Sequence, residues 1–352
     1  MGKRCIRILS VFCWMILPAQ VAWAHHPSAG FGSGTAGPVS TIPAAPMEKH
    51  RWSFGIRTEF QKFDRISDSE LESLAASGTE THSMDDQTSI FFSAGYGLTE
   101  DLAVGMHIPY VIRRGIREGH FEGGTPEVHD HGSSEGIGDL SLLGQYRILR
   151  MERAGADVSA LFGLKAPTGD TRVADRDGVR FETEFQPGSG SWDPLIGMAA
   201  GWRLGQASLN ASLLYAIATR GSQETDLGDA LHFGASFAWR HTPAHGHSPR
   251  SGKPPTDAHG SSHVPERAGH HNHLSIDFIL EATGEWHQKQ TVLGIMDDNS
   301  GGTLVFLAPG VRANFYDRFS VFVSAGIPVI QDLNGTQHET RHLFIFGISA
   351  GL

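Results

Sequence analysis

The stretch HLFIFGISAGL alternates with a period of two. Phe344, Phe346, Ile348, Ala350 and Leu352 fall on one face, and Ile345, Gly347, Ser349 and Gly351 on the other. This is the period of a β-strand, whose successive side chains point to opposite sides. The pattern recurs in RWSFGIRTEFQKF, where Trp52, Phe54, Ile56 and Phe60 alternate with Ser53, Gly55, Arg57, Glu59 and Gln61, and again in LAVGMHIPYVI and LSIDFILEA. Twelve such segments are predicted, near 51–63, 88–98, 102–112, 138–149, 157–167, 191–203, 207–219, 229–240, 274–284, 303–315, 319–330 and 341–352. Each has about the length of a tilted membrane-crossing strand, ~9–11 residues.

A soluble β-sandwich would also alternate. Three features point instead to an all-β, antiparallel transmembrane barrel of the outer-membrane type. The polar face carries full charges in mid-strand, such as Arg57, Glu59, Arg147, Lys165, Asp277 and Glu281, as a wet lumen permits. The apolar face places Trp52, Tyr96, Tyr110, Tyr146, Trp202, Trp239 and Phe315 near strand ends, where a membrane interface favours aromatic rings. The joins also alternate in length. Those at 99–101, 150–156, 204–206 and 316–318 are tight, whereas 64–87, 113–137, 168–190, 285–302 and 331–340 are longer and polar. Outer-membrane barrels put short turns in the periplasm and long loops outside. The join at 241–273 breaks that parity and reads as an oversized periplasmic loop.

Composition fits this organisation. The start, MGKRCIRILSVFCWMILPAQVAWA, has a basic n-region, an apolar stretch and an Ala22-Trp23-Ala24 cleavage pattern, the signature of a secretory signal over residues 1–24. Cys5 and Cys13 both lie in it, so the exported part has no thiol or disulfide. Removing Lys3, Arg4 and Arg7 takes the formal charge from −10 to −13, which argues against a nucleic-acid partner. Residues 25–49 read as a flexible Gly/Pro/His leader, and residues 50–352 as the barrel. Within the leader, GSGTAG at Gly32–Gly37 fits G-x-G-x-x-G but has a cleavage site before it and Pro38 after it. It lacks the strand and helix that a dinucleotide loop needs.

Four stretches in order, GYGLTEDLAVGMHIPYV, GIGDLSLLGQYRI, GLKAPTGD and SGSWDPLIGMAAGW, resemble the MetA-pathway family of phenol degradation, whose members are outer-membrane β-barrel transporters of Gram-negative bacteria. The resemblance covers about residues 50–352. It implies residence in the cell outer membrane and a transport role connected with aromatic compounds. The prolines and glycines of these stretches read as architectural: Pro109, Pro167 and Pro328 stand near strand ends, and Gly136, Gly138 and Asp139 at a rim bend.

The candidate lumen residues are Arg57, Glu59, Gln61, Asp139, Gln145, Arg147, Lys165, Asp193, Arg203, His232, Arg240, Asp277, Glu281 and Arg312. Their charges can pair across the interior, plugging it or lining a polar path, or they can simply satisfy one another. The candidate metal ligands are His241, His245, His247, His259, His263, His270, His271 and His273. Pro243, Pro249, Pro254, Pro255 and Pro265 deny that stretch a fixed tetrahedral scaffold, so it is read either as a weak binder of several Cu, Zn or Ni ions or as a solvated linker. His25-His26 and His129-Asp130-His131 pose the same choice on a smaller scale. No cofactor is required. With His107 and His232 projecting singly on separate strands, the chain is not read as an enzyme. The sequence therefore points to a channel or transporter with outer-membrane lipid and a small-molecule solute as partners. The alternative is a metal-handling outer-membrane component built around the His-rich loop.

Overall fold

The computed structural model describes residues 38–79, 81–122, 124–242, 274–316 and 318–352. Twelve strands form the wall: β1 (Trp52–Asp64), β2 (Asp86–Gly97), β3 (Leu102–Glu122), β4 (Leu140–Met151), β5 (Ala156–Ala166) and β6 (Asp193–Leu204), then β7 (Ala207–Ala216), β8 (Ala230–His241), β9 (Leu274–His287), β10 (Gly302–Phe315), β11 (Phe319–Leu333) and β12 (Glu339–Gly351). Each is hydrogen-bonded antiparallel to the next. β12 returns to β1, with Phe54 opposite Ala350 and Ile56 opposite Ile348, so the sheet closes into a barrel. All twelve strands fall on the segments that alternate in the sequence.

The two faces sort by chemistry. Trp52, Phe54, Ile56, Phe162, Ile196, Met198, Phe237, Phe278, Val321 and Phe346 are exposed on the outer surface. Their neighbours Ser53, Arg57, Ser159, Ala199, Ala238, Asp277 and Ile345 are buried inside. An outside-apolar, inside-polar arrangement inverts a soluble protein and suits a wall standing in lipid. Trp52 and Tyr96 lie opposite each other with ring centroids 4.6 Å apart. With Tyr146, Trp202, Trp239 and Phe315 they ring the end of the barrel that carries the tight turns.

The opposite end is more ordered than the polar composition of its joins suggests. β3 runs for 21 residues and pairs beyond the barrel wall with a strand at Thr125–Ile137, so 113–137 is a β-hairpin standing above the rim. Its alternation is hidden in the sequence because both faces carry charge: Arg113 and Arg117 are buried under the neighbouring joins, and Arg114 is exposed. The 64–87 join contains a helix, α1 (Asp68–Ala76), whose N-cap Ser67 accepts from the Glu70 amide, and a short strand at Thr81–Ser83 paired to β3. The 167–192 join folds inward over the mouth, where Phe181 and Phe185 pack against Phe63, Met84 and Ile116.

β8 and β9 pair up to His241–Ile276 at the tight-turn end, so the join between them departs from that end. Of the eight candidate histidines only His241 lies within the described residues; His245, His247, His259, His263, His270, His271 and His273 lie outside them. So do the proposed signal segment and residues 25–37.

Candidate functional site

The lumen is occupied by the protein's own chain. Residues 38–46, which the composition assigns to a flexible leader, cross the inside of the barrel instead. Val39 packs against Ala238, Ile279, Phe322 and Ile345 of β8, β9, β11 and β12. Ile42 and Ala44 pack against Leu143, Leu161, Ala199 and Leu214 of β4–β7, on the other side. The segment thus bridges opposite walls. These inward-facing apolar side chains interrupt the polar face of their strands, and in retrospect they are the sequence signal for something apolar inside.

The backbone of the segment is satisfied by wall side chains. Glu281 accepts from three successive amides, those of Val39 (3.1 Å), Ser40 (3.0 Å) and Thr41 (2.9 Å), and Ser212 Oγ accepts from Ile42 at 3.1 Å. Arg312 donates to the Pro38 carbonyl at 2.8 Å and Arg57 to the Val39 carbonyl at 3.3 Å. Gln145 Nε2 donates to the carbonyls of Pro43 (2.7 Å) and Ala44 (3.0 Å). An extended segment has no internal ladder, so burial is tolerable only if its polar groups find partners. Pro38, Pro43 and Pro46 reduce the demand by presenting no amide donor.

The segment divides the interior. Ser40, Thr41 and Ile42 form the floor of a cavity of about 180 Å³ towards the long-loop end, lined also by His107, Pro109, Lys165, His232, Phe233 and Phe306. Val39, Pro43 and Ala45 to Glu48 line a second cavity of about 690 Å³ towards the tight-turn end, with Arg57, Arg240 and Arg312.

The remaining candidate lumen residues fall into pairs along the wall. Arg240 grips Asp277 with two hydrogen bonds of 2.6 and 2.8 Å, and Asn314 adds a third at 3.0 Å. Arg57 pairs with Glu59, and Gln61 donates to Thr340 Oγ1 at 3.0 Å. His232 faces Glu285 at 3.6 Å. Arg147 bonds Asp101 at 2.9 Å and faces Asp157 at 3.4 Å at the tight-turn end. Arg203 differs from the rest: it is exposed at the rim, 3.5 Å from Asp157, and lines neither cavity.

Lys165, Asp139 and Asp193 form a separate knot at the upper wall. Lys165 pairs with Asp193, lies 3.7 Å from Asp139 and donates to Ser189 Oγ at 2.8 Å. Asp139 accepts from the amides of Gly169 (3.0 Å) and Ser189 (2.8 Å). Three of the stretches that carry the family resemblance, GIGD, GLKAPTGD and SGSWD, therefore meet at one point. Their glycines touch there: a Cβ on Gly169 would lie 2.6 Å from the Gly138 carbonyl carbon and 2.8 Å from the Gly188 Cα. The knot ties the inward-folded 167–192 lid to the wall. Arg113 holds the same lid through the carbonyls of Phe185 (3.3 Å) and Gln186 (3.2 Å).

The lid also assembles a group that sequence spacing could not show, because its members come from three separate joins. His82 faces Glu118 at 3.7 Å, Glu182 at 3.8 Å and Glu184 at 3.5 Å. Burial alone would push the His82 imidazole down, but these carboxylates outweigh it and raise its pKa to about 10. Glu118, on the part of β3 above the barrel, is lowered to about 2 chiefly by its contact with His82. Burial, with Glu182 and Asp297 nearby, pushes Glu184 up to about 7 against the pull of His82. His131 of the HDH motif lies in the same patch, 2.8 Å from Asp175 and 3.2 Å from Glu118.

No family model matches the chain, and no curated protein matches it either. Solved structures do. An outer membrane channel from Pseudomonas putida F1 superposes with a TM-score of 0.52 at 12% identity, covering 88% of this chain and 98% of that one. The NanC porin gives 0.42 at 7% identity over 85% and 100% of the two chains. The translocator domain of the autotransporter NalP from Neisseria meningitidis gives 0.42 at 8% identity over 86% and 89%. The first of these shows the fold: the chain is a closed twelve-stranded antiparallel barrel of the kind found in outer-membrane proteins.

Proposed function

We propose that the protein is a channel of the Gram-negative outer membrane, admitting small solutes through a lumen that residues 38–47 stopper. The observation that carries this reading is the division of one polar lumen into two cavities by a single segment. A barrel serving only as a scaffold has no need of an interior of this kind, whereas a channel needs a barrier that can yield. The segment is suited to yielding: it holds the wall through side-chain hydrogen bonds and small apolar contacts and belongs to no sheet.

The outer cavity sets the solute class. At about 180 Å³ it is smaller than the ~300–1,000 Å³ of drug-sized ligand pockets, so it takes a small molecule. Phe233, Phe306, Val111 and Leu343 offer apolar surface beside His107, Lys165 and Gln290, which suits a single ring bearing a polar group. This agrees with the aromatic compounds implied by the MetA-pathway resemblance. The tight-turn end, with its aromatic girdle, faces the periplasm in this reading, and the lid faces outwards.

The test is reconstitution in planar bilayers and proteoliposomes. Wild type should pass little current, deletion of residues 38–47 should give a steady large conductance, and benzoate should enter faster than a sugar of similar mass. Equal conductance with and without the segment would overturn the stopper, and recovery of the native protein from the soluble periplasm would overturn the channel.

A further inference from the structure

We propose that His82, Glu182 and Glu184 form a binding site for a first-row divalent cation such as Zn(II), set where the lid meets the rim. One ring nitrogen of His82 and one carboxylate oxygen from each glutamate lie within 4.8 Å of one another. Glu182 approaches His82 from the Nε2 side at 3.8 Å and Glu184 from the Nδ1 side at 3.5 Å, both longer than a charge-assisted hydrogen bond of ~2.7–2.9 Å. A single ring nitrogen must serve the ion, so the exposed Glu182 side chain closes in on binding to reach the roughly 3.3 Å between ligand atoms that tetrahedral bonds of ~2.0–2.1 Å to zinc set.

The ligands are held from behind, as metal ligands usually are. Gln290 Nε2 donates to Glu184 Oε2 at 2.6 Å, and it is the other oxygen, Oε1, that faces His82. The His82 ring stands edge-on to Phe185 with centroids 5.0 Å apart, and its strand is fixed by the pairing of His82 with Glu118. Glu182 is mostly exposed, which gives an ion a way in and leaves room for water in the remaining positions. The surroundings favour positive charge: Glu118 and Asp297 add two carboxylates around the three ligands. A metal ligates the neutral imidazole, so a cation competes with protons for His82 and binding should tighten as pH rises. One imidazole with two carboxylates suits Zn(II) or Mn(II) better than Cu(I), which prefers sulfur.

The site is independent of the channel reading and of the His-rich 241–273 join. The test uses the full chain in detergent, comparing wild type with Glu182→Gln and with a second variant, His82→Gln. Glu182 is exposed, so its replacement leaves the fold intact, as unboiled gel mobility would verify. Zn(II) titration followed by calorimetry should show one equivalent weakened at least tenfold in both variants, with protons released on binding to wild type. Crystals grown with Zn(II) should show an anomalous peak about 2.0–2.2 Å from the glutamate oxygens and a His82 nitrogen. Unchanged titrations in both variants, or zinc found only at other histidines, would overturn the proposal.

Discussion

Glu281 Oε1 lies 2.9 Å from the amide nitrogen of Thr41, a residue 240 positions earlier in the chain. The same carboxylate takes the amides of Val39 and Ser40, so one side chain holds three consecutive links of the stopper. Hydrogen bonds to a charged group contribute about 1.5–3 kcal/mol each when both partners are otherwise desolvated. Glu281→Leu should therefore loosen the segment while leaving the wall assembled. The expected outcome is a rise in single-channel open probability towards that of the 38–47 deletion. A variant as quiet as wild type would show that the apolar contacts of Val39 and Ile42 suffice.

The lid depends on three glycines in contact. Gly169→Ala places a methyl group 2.6 Å from the Gly138 carbonyl carbon, and overpacking of this kind costs about 1–3 kcal/mol. The barrel wall continues without the lid, so the damage should stay local. Limited proteolysis should cut within 167–192 several-fold faster in the variant, with unboiled gel mobility unchanged.

The barrel itself was legible because a two-residue period reports directly which way each side chain points. All twelve strands and the tight turns follow from that period, and so does the inward direction of Arg57, Asp277 and Glu281. The period also has a blind side. In 113–122 both faces carry charge, with Arg113 and Arg117 buried under the neighbouring joins and Arg114 exposed, and this masks a strand that continues above the wall. The stopper was missed for a different reason: PVSTIPAAPM has the proline content of a loop, and its order comes from partners such as Gln145, Glu281 and Arg312 far along the chain. Arg203 obeys the inward parity but stands beyond the last turn of the lumen. His82, Glu182 and Glu184 meet only through tertiary folding, and no spacing encodes them.

On the lipid face the cost of a charge depends on depth. Met198 is exposed in the middle of β6, opposite Ala160 and Leu213, whereas Val104 lies opposite the girdle residue Tyr96. Met198→Arg should cost roughly 2–4 kcal/mol and Val104→Arg roughly 0–1 kcal/mol. Folding titrations into lipid vesicles would measure both. Equal tolerance would mean that the outer band lies elsewhere on the wall.

The join between β8 and β9 leaves a complete hairpin behind it, since the pairing runs to His241 and Ile276. Excising residues 243–271 should leave assembly intact and reduce the weak Cu(II) or Zn(II) bound per chain. Metal content of the purified protein, before and after excision, checks this. Protease added to intact cells should not cut the join if it faces the periplasm.

Two histidines outside the membrane wall should titrate in opposite directions. Without metal, His82 is raised to about 10, so its contribution to stability is complete below the unfolded value near 6.5 and fades as pH rises through 10. His338 is lowered well below the ordinary value by burial. Its contribution is present above 6.5 and is lost as pH falls through its folded value. Labelled-histidine NMR in detergent should find His82 charged and His338 neutral at pH 8. The reverse pattern would mean that the lid is not seated over the rim.

The stopper has a consequence for the order of assembly. Residues 38–44 emerge early in synthesis, yet their anchors Glu281 and Arg312 lie 240 and 274 positions away from the groups they hold. Those anchors stand side by side on the inner wall only after β9 and β10 have paired. Contacts of such long range must wait for the intervening loop to close. The late strands of the wall must therefore be in place before the early segment can seat, so the first part of the chain to be made is among the last to find its partners.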